Sequence, residues 1–276
     1  MEPIRVMVNG APGNVARMVV RHVIQDPRFR LVPWSLTGPE IDADDCIVAG
    51  ETVRLVRPDD RAVLLDALKS MGTAPICIDF THPSAVNGNA EFYCANHLPF
   101  VMGTTGGDRE KLLACVKGAD ISAVIAPNMA KQIVGFQAMM AYAADAFPGL
   151  FDGYTLEIAE SHQQGKADTS GTAKAMVGYF NRLGCKFSEE EIEKERDPEC
   201  QRREWGIPEA HLGGHAWHTY TLVSDDGTVK FSFTHNVNGR EVYVRGTLDA
   251  VRFLHRKIGE GSRGRVFSMI DVLKGD

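Results

Sequence analysis

Through the first half of the chain, short β-rich apolar runs alternate with stretches in which apolar residues recur every three or four positions. Residues 4–8 form the first run. After Asn9-Gly-Ala-Pro-Gly13, the positions Val15, Met18, Val19 and Val23 line one face of a helix. Further strand-like runs fall at 29–36, 76–80, 100–102 and 122–126, with helical spacing at 59–70, 83–96 and 108–118. Strands alternating with helices predict an α/β fold whose N-terminal part is a doubly wound parallel sheet of the Rossmann type.

After Ala126 the grammar changes. A long apolar helix is predicted over 132–147, a strand over 154–160, a helix capped by Thr169 or Ser170, and an irregular, charge-rich stretch over 186–206. Residues 217–223, 229–237 and 241–247 alternate with period two and are joined by Asp-Asp-Gly and Asn-Gly turns, which predicts an antiparallel meander. From 248 to 273 helical spacing returns, and this tail is expected to pack back on the first part. The implied organisation is a dinucleotide-binding domain of residues 1–131 plus 247–276, with an inserted α+β substrate-binding and oligomerisation domain at 132–246. An exposed meander needs covering, so a homo-oligomer, dimer or tetramer, is expected.

Charge and composition narrow the partners. The 276 residues hold 30 Lys+Arg against 36 Asp+Glu, a net charge of -6, and no basic block that could track a phosphate backbone. Nucleic acid is excluded as a partner on that ground. No apolar run reaches membrane-spanning length, and the N-terminus passes straight into a strand-like run. The expectation is a cytoplasmic protein without membrane partners, or a plastid one if a transit peptide precedes these residues. The six cysteines form no C-x-x-C pair and are expected to be reduced thiols.

Three features carry chemistry. Gly10-Ala11-Pro12-Gly13-Asn14-Val15-Ala16 sits between the first strand and first helix, where glycines and free helix amides suit a pyrophosphate. The stretch Ser35-Leu-Thr37-Gly-Pro has no acidic residue for the ribose hydroxyls, and with Arg17 nearby it favours NADPH while leaving NADH possible. The second feature is a set of turns at later strand ends: Phe80-Thr-His-Pro, Gly103-Thr104-Thr105-Gly-Gly and Ala126-Pro127-Asn128-Met129. Ligands of open α/β sheets bind at that edge. The third is Glu160-Ser-His162-Gln163-Gln-Gly-Lys166-Ala-Asp-Thr-Ser170-Gly171-Thr172, which sets two basic side chains beside a helix start. For an anionic substrate, Lys166 and the helix start at Ser170–Thr172 are the expected anchors, and Arg240, on the Asn-Gly turn between two strands, is either a further anchor or an exposed hairpin arginine.

These stretches, with Asp79-Phe-Thr-His-Pro-Ser-Ala-Val, Gly214-His-Ala-Trp-His and Met269-Ile-Asp-Val-Leu, resemble in order the 4-hydroxy-tetrahydrodipicolinate reductase family over almost the whole chain. Where most bacterial members carry a His-rich segment after the first histidine, this chain has Gln163-Gln164-Gly165, and in this it is similar to the plant-type branch. The resemblance implies NAD(P)H-dependent reduction of a small dicarboxylate cyclic imine in the diaminopimelate route to lysine. It implies that His162 is the catalytic acid/base with Lys166 beside it, and that Gln163, Gly171 and Thr172 contact substrate. It further implies dinucleotide contacts from Gly10 to Val15, Gly103 to Thr105 and Ala126 to Met129.

Other readings are weaker. His211, His215 and His218 suggest a metal, but in a period-two strand His215 and His218 point to opposite faces, and no nearby acidic residue completes a ligand set; no metal is expected. A semialdehyde dehydrogenase would need a nucleophilic cysteine in a plausible loop, and no cysteine occupies one. A Rossmann dehydrogenase of another small carboxylate, or a dinucleotide-sensing regulator without catalysis, remains as the alternative.

Overall fold

The computed structural model describes residues Glu2 to Gly275 and divides into two compact units: residues up to Lys131 together with those from Tyr243 onward, and Gln132–Val242. The first unit begins β1 (Ile4–Asn9), α1 (Asn14–Gln25), β2 (Phe29–Leu31), β3 (Trp34–Leu36), β4 (Asp45–Val48) and β5 (Glu51–Val56). It continues α2 (Arg61–Ser70), β6 (Ile76–Asp79), α3 (Val86–Ala95), β7 (Phe100–Met102), α4 (Arg109–Lys117) and β8 (Ala123–Ile125). The second unit holds α5 (Lys131–Ala146), β9 (Tyr154–His162), α6 (Gly171–Arg182), β10 (Glu193–Glu195), α7 (Pro198–Arg203), β11 (His215–Ser224) and β12 (Lys230–Asn238). The chain then returns through α8 (Glu241–Gly259), β13 (Val266–Phe267) and α9 (Met269–Lys274).

The first unit is built on a six-stranded sheet in the order β13-β8-β7-β6-β1-β2, every pair parallel. Its inner strands β6, β7 and β8 are buried along their length and, Asp79 apart, apolar, as a parallel sheet covered by helices requires. The expected run over 29–36 is in fact two strands. Pro33 lacks an N–H to continue the ladder, so β2 stays on β1 whereas β3 leaves to pair with β5. The sequence pattern did not anticipate the β4–β5 hairpin, whose turn residues Ala49 and Gly50 both have positive φ (52° and 89°), as a tight hairpin turn of this hand requires.

In the second unit, β9, β11 and β12 run antiparallel and β10 adds parallel to β9, giving the order β10-β9-β11-β12. An apolar core that includes Leu156, Ile158, Met176, Phe180 and Tyr220 fills the unit. Two expectations fail here. Residues 186–206 are not irregular, since they contribute β10 and α7. Residues 241–247 are not a third meander strand but the first turns of α8, whose buried Val244, Thr247, Leu248 and Val251 follow the helical period. All six cysteines are free thiols. No helix among the described residues is long and apolar enough to cross a membrane.

Candidate functional site

In the first unit, the carboxyl ends of β1, β3 and β6 open onto a cleft of about 760 Å³. Its walls include Gly10 to Gly13, Thr37 to Ile41, Arg61 and the Phe80–His82 turn. Gly10 has φ 105° and lies so close to the Phe80 carbonyl that no Cβ could be accommodated. The helix start beyond it is not capped by any side chain, which leaves its amides free to meet an anion.

A buried polar knot fixes this edge. The Asp79 carboxylate accepts from the Thr81 amide (3.1 Å), the Thr81 hydroxyl (2.8 Å), the Thr104 hydroxyl (2.9 Å), Asn89 Nδ2 (3.0 Å) and the Tyr93 hydroxyl (2.7 Å). Asn9 Nδ2 donates to that tyrosine (2.8 Å), and Asn9 Oδ1 accepts the Leu36 amide (2.8 Å). The knot thereby ties the ends of β1, β3, β6 and β7 together.

The residues proposed for the dinucleotide divide into four groups. Gly10 to Gly13 and Phe80 line the cleft, with Asn14 and Val15 opening α1 beside it. Ser35 lies beneath the turn, fully buried, its hydroxyl accepting the Ala11 amide at 3.1 Å. Arg17 is exposed and reaches the Ile47 carbonyl (3.4 Å) instead of the cleft walls. Gly103 to Thr105 follow β7 and Ala126 to Met129 follow β8 at the same sheet edge, with Asn128 Oδ1 accepting the Ala130 amide (2.9 Å). Glu40, a wall residue four positions past β3 and just beyond the acid-free stretch Ser35 to Pro39, brings a carboxylate to this cleft and folds it back over Gly38.

In the second unit, β9 ends at His162, the loop 163–170 follows, and Ser170 caps α6 with its hydroxyl accepting the Thr172 amide at 3.2 Å. Lys166, Gln163 and Gly171 therefore lie on or beside this one loop. Arg240 does not: the Asn-Gly turn it follows joins β12 to α8 instead of two strands, and the side chain is exposed.

Glu160, unassigned by the sequence reading, organises the site. Its fully buried carboxylate takes the Arg196 guanidinium at 2.5 Å and the Ser170 amide at 3.0 Å. Arg196 also donates to the Lys166 carbonyl (2.9 Å), and Gln201 donates to the His162 carbonyl (2.7 Å). Two imidazoles flank the same carboxylate at 3.6 Å, His162 through Nδ1 and His218 through Nε2, and neither nitrogen has a hydrogen-bond partner. His162 is only 6% exposed.

Burial raises the Glu160 carboxyl, but His218, Arg196, the Ser170 amide and His162 outweigh it and hold it at about 2. His162 is pushed down to about 3, first by burial and next by the charge His218 can carry, with Glu160 opposing and Arg196 and Lys166 adding to the shift. At neutral pH the cluster thus holds a carboxylate, an arginine and an uncharged His162.

The strand geometry corrects one more expectation. His215 and His218 do face opposite ways, His215 toward Ser161 (2.8 Å), but His218 does have an acidic neighbour. Glu160, His162 and His218 donor atoms lie within 4.8 Å of one another, a spacing a cation could bridge. The cation at that carboxylate is Arg196, so the trio reads as an ion cluster in which Arg196 is hydrogen-bonded to Glu160 and the two imidazoles stand beside it.

Comparison with known proteins agrees across the chain. Residues 4–129 match the family model "Dihydrodipicolinate reductase, N-terminus" and residues 133–273 match "Dihydrodipicolinate reductase, C-terminus". The chain is 44% identical over 271 residues to 4-hydroxy-tetrahydrodipicolinate reductase 1, chloroplastic, of Arabidopsis thaliana, covering 98% of this chain and 78% of that protein. It is 29% identical to 4-hydroxy-tetrahydrodipicolinate reductase of Paraburkholderia phymatum, covering 98% and 99% of the two chains. The fold is similar to dipicolinate-bound dihydrodipicolinate reductase from Paenisporosarcina sp. TG-14, with TM-score 0.63, 20% identity and coverage of 96% and 97%.

Proposed function

The chain belongs to the dihydrodipicolinate reductase family, and from that premise we propose that it reduces 4-hydroxy-tetrahydrodipicolinate to tetrahydrodipicolinate, in the diaminopimelate route to lysine, with the chemistry at His162. The observation that carries the residue assignment is the buried His162 at the end of β9, beside Glu160 and one loop away from the start of α6.

The substrate bears two carboxylates on a ring containing C=N. Lys166 and the Gly171 amide hold one carboxylate, with Thr172, whose own amide is held by the Ser170 cap, and Gln163 beside them. When bound, the reduced nicotinamide supplies the hydride. His162 transfers the proton needed by the ring nitrogen or the departing hydroxyl. A dianion arriving next to an uncharged, buried imidazole supplies the countercharge that lets it take up a proton.

The cleft at Gly10 to Gly13 fits a dinucleotide: open backbone, free helix amides and a cationic wall residue in Arg61. Glu40 on the same wall favours ribose hydroxyls over a 2′-phosphate, whereas Arg61 favours the phosphate, so we assign use of both NADPH and NADH. Self-association through β12 follows from its unpaired outer edge and the exposed Phe231 and Val229, and sedimentation analysis of the intact protein tests it.

The test of function is oxidation of NADPH and NADH by the purified protein, with substrate generated in place by the synthase that condenses pyruvate with aspartate semialdehyde. Synthase-dependent oxidation is expected with both. None, in a folded protein that binds NADPH, removes the assignment and leaves a regulatory Rossmann protein as the reading.

A further inference from the structure

His162 is not an isolated imidazole. In the register of the second sheet, Glu160 on β9, His218 on β11 and His235 on β12 stand directly opposite one another. Cross-strand partners share a face, and His162 lies two residues beyond Glu160 on that same face. The result is a row of rings. His162 and His218 meet edge to face with centroids 5.1 Å apart, and His218 stacks on His235 at 4.6 Å. His235 Nε2 and the Tyr220 hydroxyl are 3.2 Å apart, and Phe136 closes over His235.

The row is short of partners. His162 Nδ1, both nitrogens of His218 and His235 Nδ1 are buried without a hydrogen bond. Groups able to answer a charge there are few: Glu160 and Arg196 at one end, Lys166 beside His162, and Tyr220 at the far end. Since Arg196 already balances Glu160, an imidazolium on His162 or on His218 is a second positive charge in the same buried volume. Two at once, at ring-contact distance, repel.

We propose that His218 is a positioning residue for the reaction: it competes with His162 for the one proton the cluster can carry, and so governs the charge on His162. This rests on the assignment of His162 as the proton-transfer group. In the resting protein burial first, and the neighbouring His218 next, keep His162 uncharged; when a dicarboxylate substrate supplies negative charge next to His162, the proton moves from solvent onto that ring and is available for transfer. His235, itself driven down to about 4 by burial and by His218, does not hold a charge of its own at neutral pH and serves as the wall against which His218 stacks.

The experiment is the pH dependence of kcat for the wild type, His218→Gln and His162→Gln, with KM for both substrates measured at each pH. Glutamine keeps a polar group at 218 but cannot be protonated, so the limb of the profile that reports His162 is expected at higher pH, with KM for the dinucleotide unchanged. A His218→Gln profile that superimposes on the wild type, or falls uniformly at every pH, overturns the proposal while leaving His162 in place if His162→Gln is inactive. Full turnover by His162→Gln overturns both. Should His218→Gln fail to fold, ring ¹⁵N shifts of the wild-type histidines decide: the proposal requires that His162 and His218 are not both protonated in the same molecule. Independent titration of the two rings overturns it.

Discussion

Two buried carboxylates anchor the two units, and they are treated in opposite ways. Asp79 is surrounded by five neutral donors at 2.7–3.1 Å, and the hydroxyl and amide groups behind it are themselves paired. Glu160 has one guanidinium and one amide, and then two imidazoles at 3.6 Å whose nitrogens are unmatched. A completed network of neutral donors fixes strand ends and has nothing left to give to a ligand. An incomplete one, made of groups that titrate, is ready to change its protonation when a charged ligand arrives. Burial alone therefore does not distinguish scaffold from chemistry, whereas unmet hydrogen bonds on titratable rings do.

The sharpest way to break this contrast is to exchange the two kinds of substitution. His162→Gln should lower kcat by about 10²- to 10⁴-fold with the circular dichroism spectrum and NADPH binding intact; a retained kcat would sink the assignment. Tyr93→Phe should do the reverse. It removes one donor from Asp79 and leaves Asn9 Nδ2 without its acceptor, which costs about 1–3 kcal/mol of stability and lowers Tm by several degrees while kcat holds. A loss of turnover with unchanged Tm would mean that Asp79 belongs to the chemistry.

Acid separates the clusters more gently. His162 has a folded value of about 3 against an ordinary 6.5, and Glu160 about 2 against 4.5, so the folded protein binds fewer protons than the unfolded chain. Their contribution is fully present above pH 6.5; the His162 part is lost as pH falls from 6.5 toward 3, and the Glu160 part from 4.5 toward 2. Urea midpoints measured across that range should fall, and His162→Gln should flatten the upper part of the fall. The smallest effect is expected at Glu40, where Glu40→Gln should shift the ratio of kcat/KM for NADPH over NADH upward by roughly fivefold, the size of about 1 kcal/mol. An unchanged ratio would show that this carboxylate does not face the ribose.

Much of the fold was legible because its signals are local. The βα alternation, Gly10 to Gly13 after β1, and the Ser170 cap all read from short windows. The misses have physical causes. Val242 and Val244 are β-branched and alternate with polar neighbours, which mimics a strand until the period is followed on to Leu248 and Val251. The β4–β5 hairpin was marked by Ala49-Gly50 between two β-rich runs, a signal that could have found it. Glu160 could be seen but not interpreted, since its partners Arg196 and His218 lie 36 and 58 positions away and only the sheet register joins them. Glu40 was passed over because it stands in the loop and not at the strand end.

Arg196 and Gln201 hold the segment from Glu160 to Lys166 by its main-chain carbonyls, at residues 160, 162 and 166. Every residue type offers the same carbonyl, so the shape of this loop is indifferent to the identity of the side chains at 163–165. Replacing Gln163, Gln164 or Gly165 by other polar residues or by histidine therefore leaves these three carbonyl contacts, and with them the placement of His162 and Lys166, in place. The triplet is a permissive window within an otherwise constrained motif, where substrate preference can drift while the chemistry stays put.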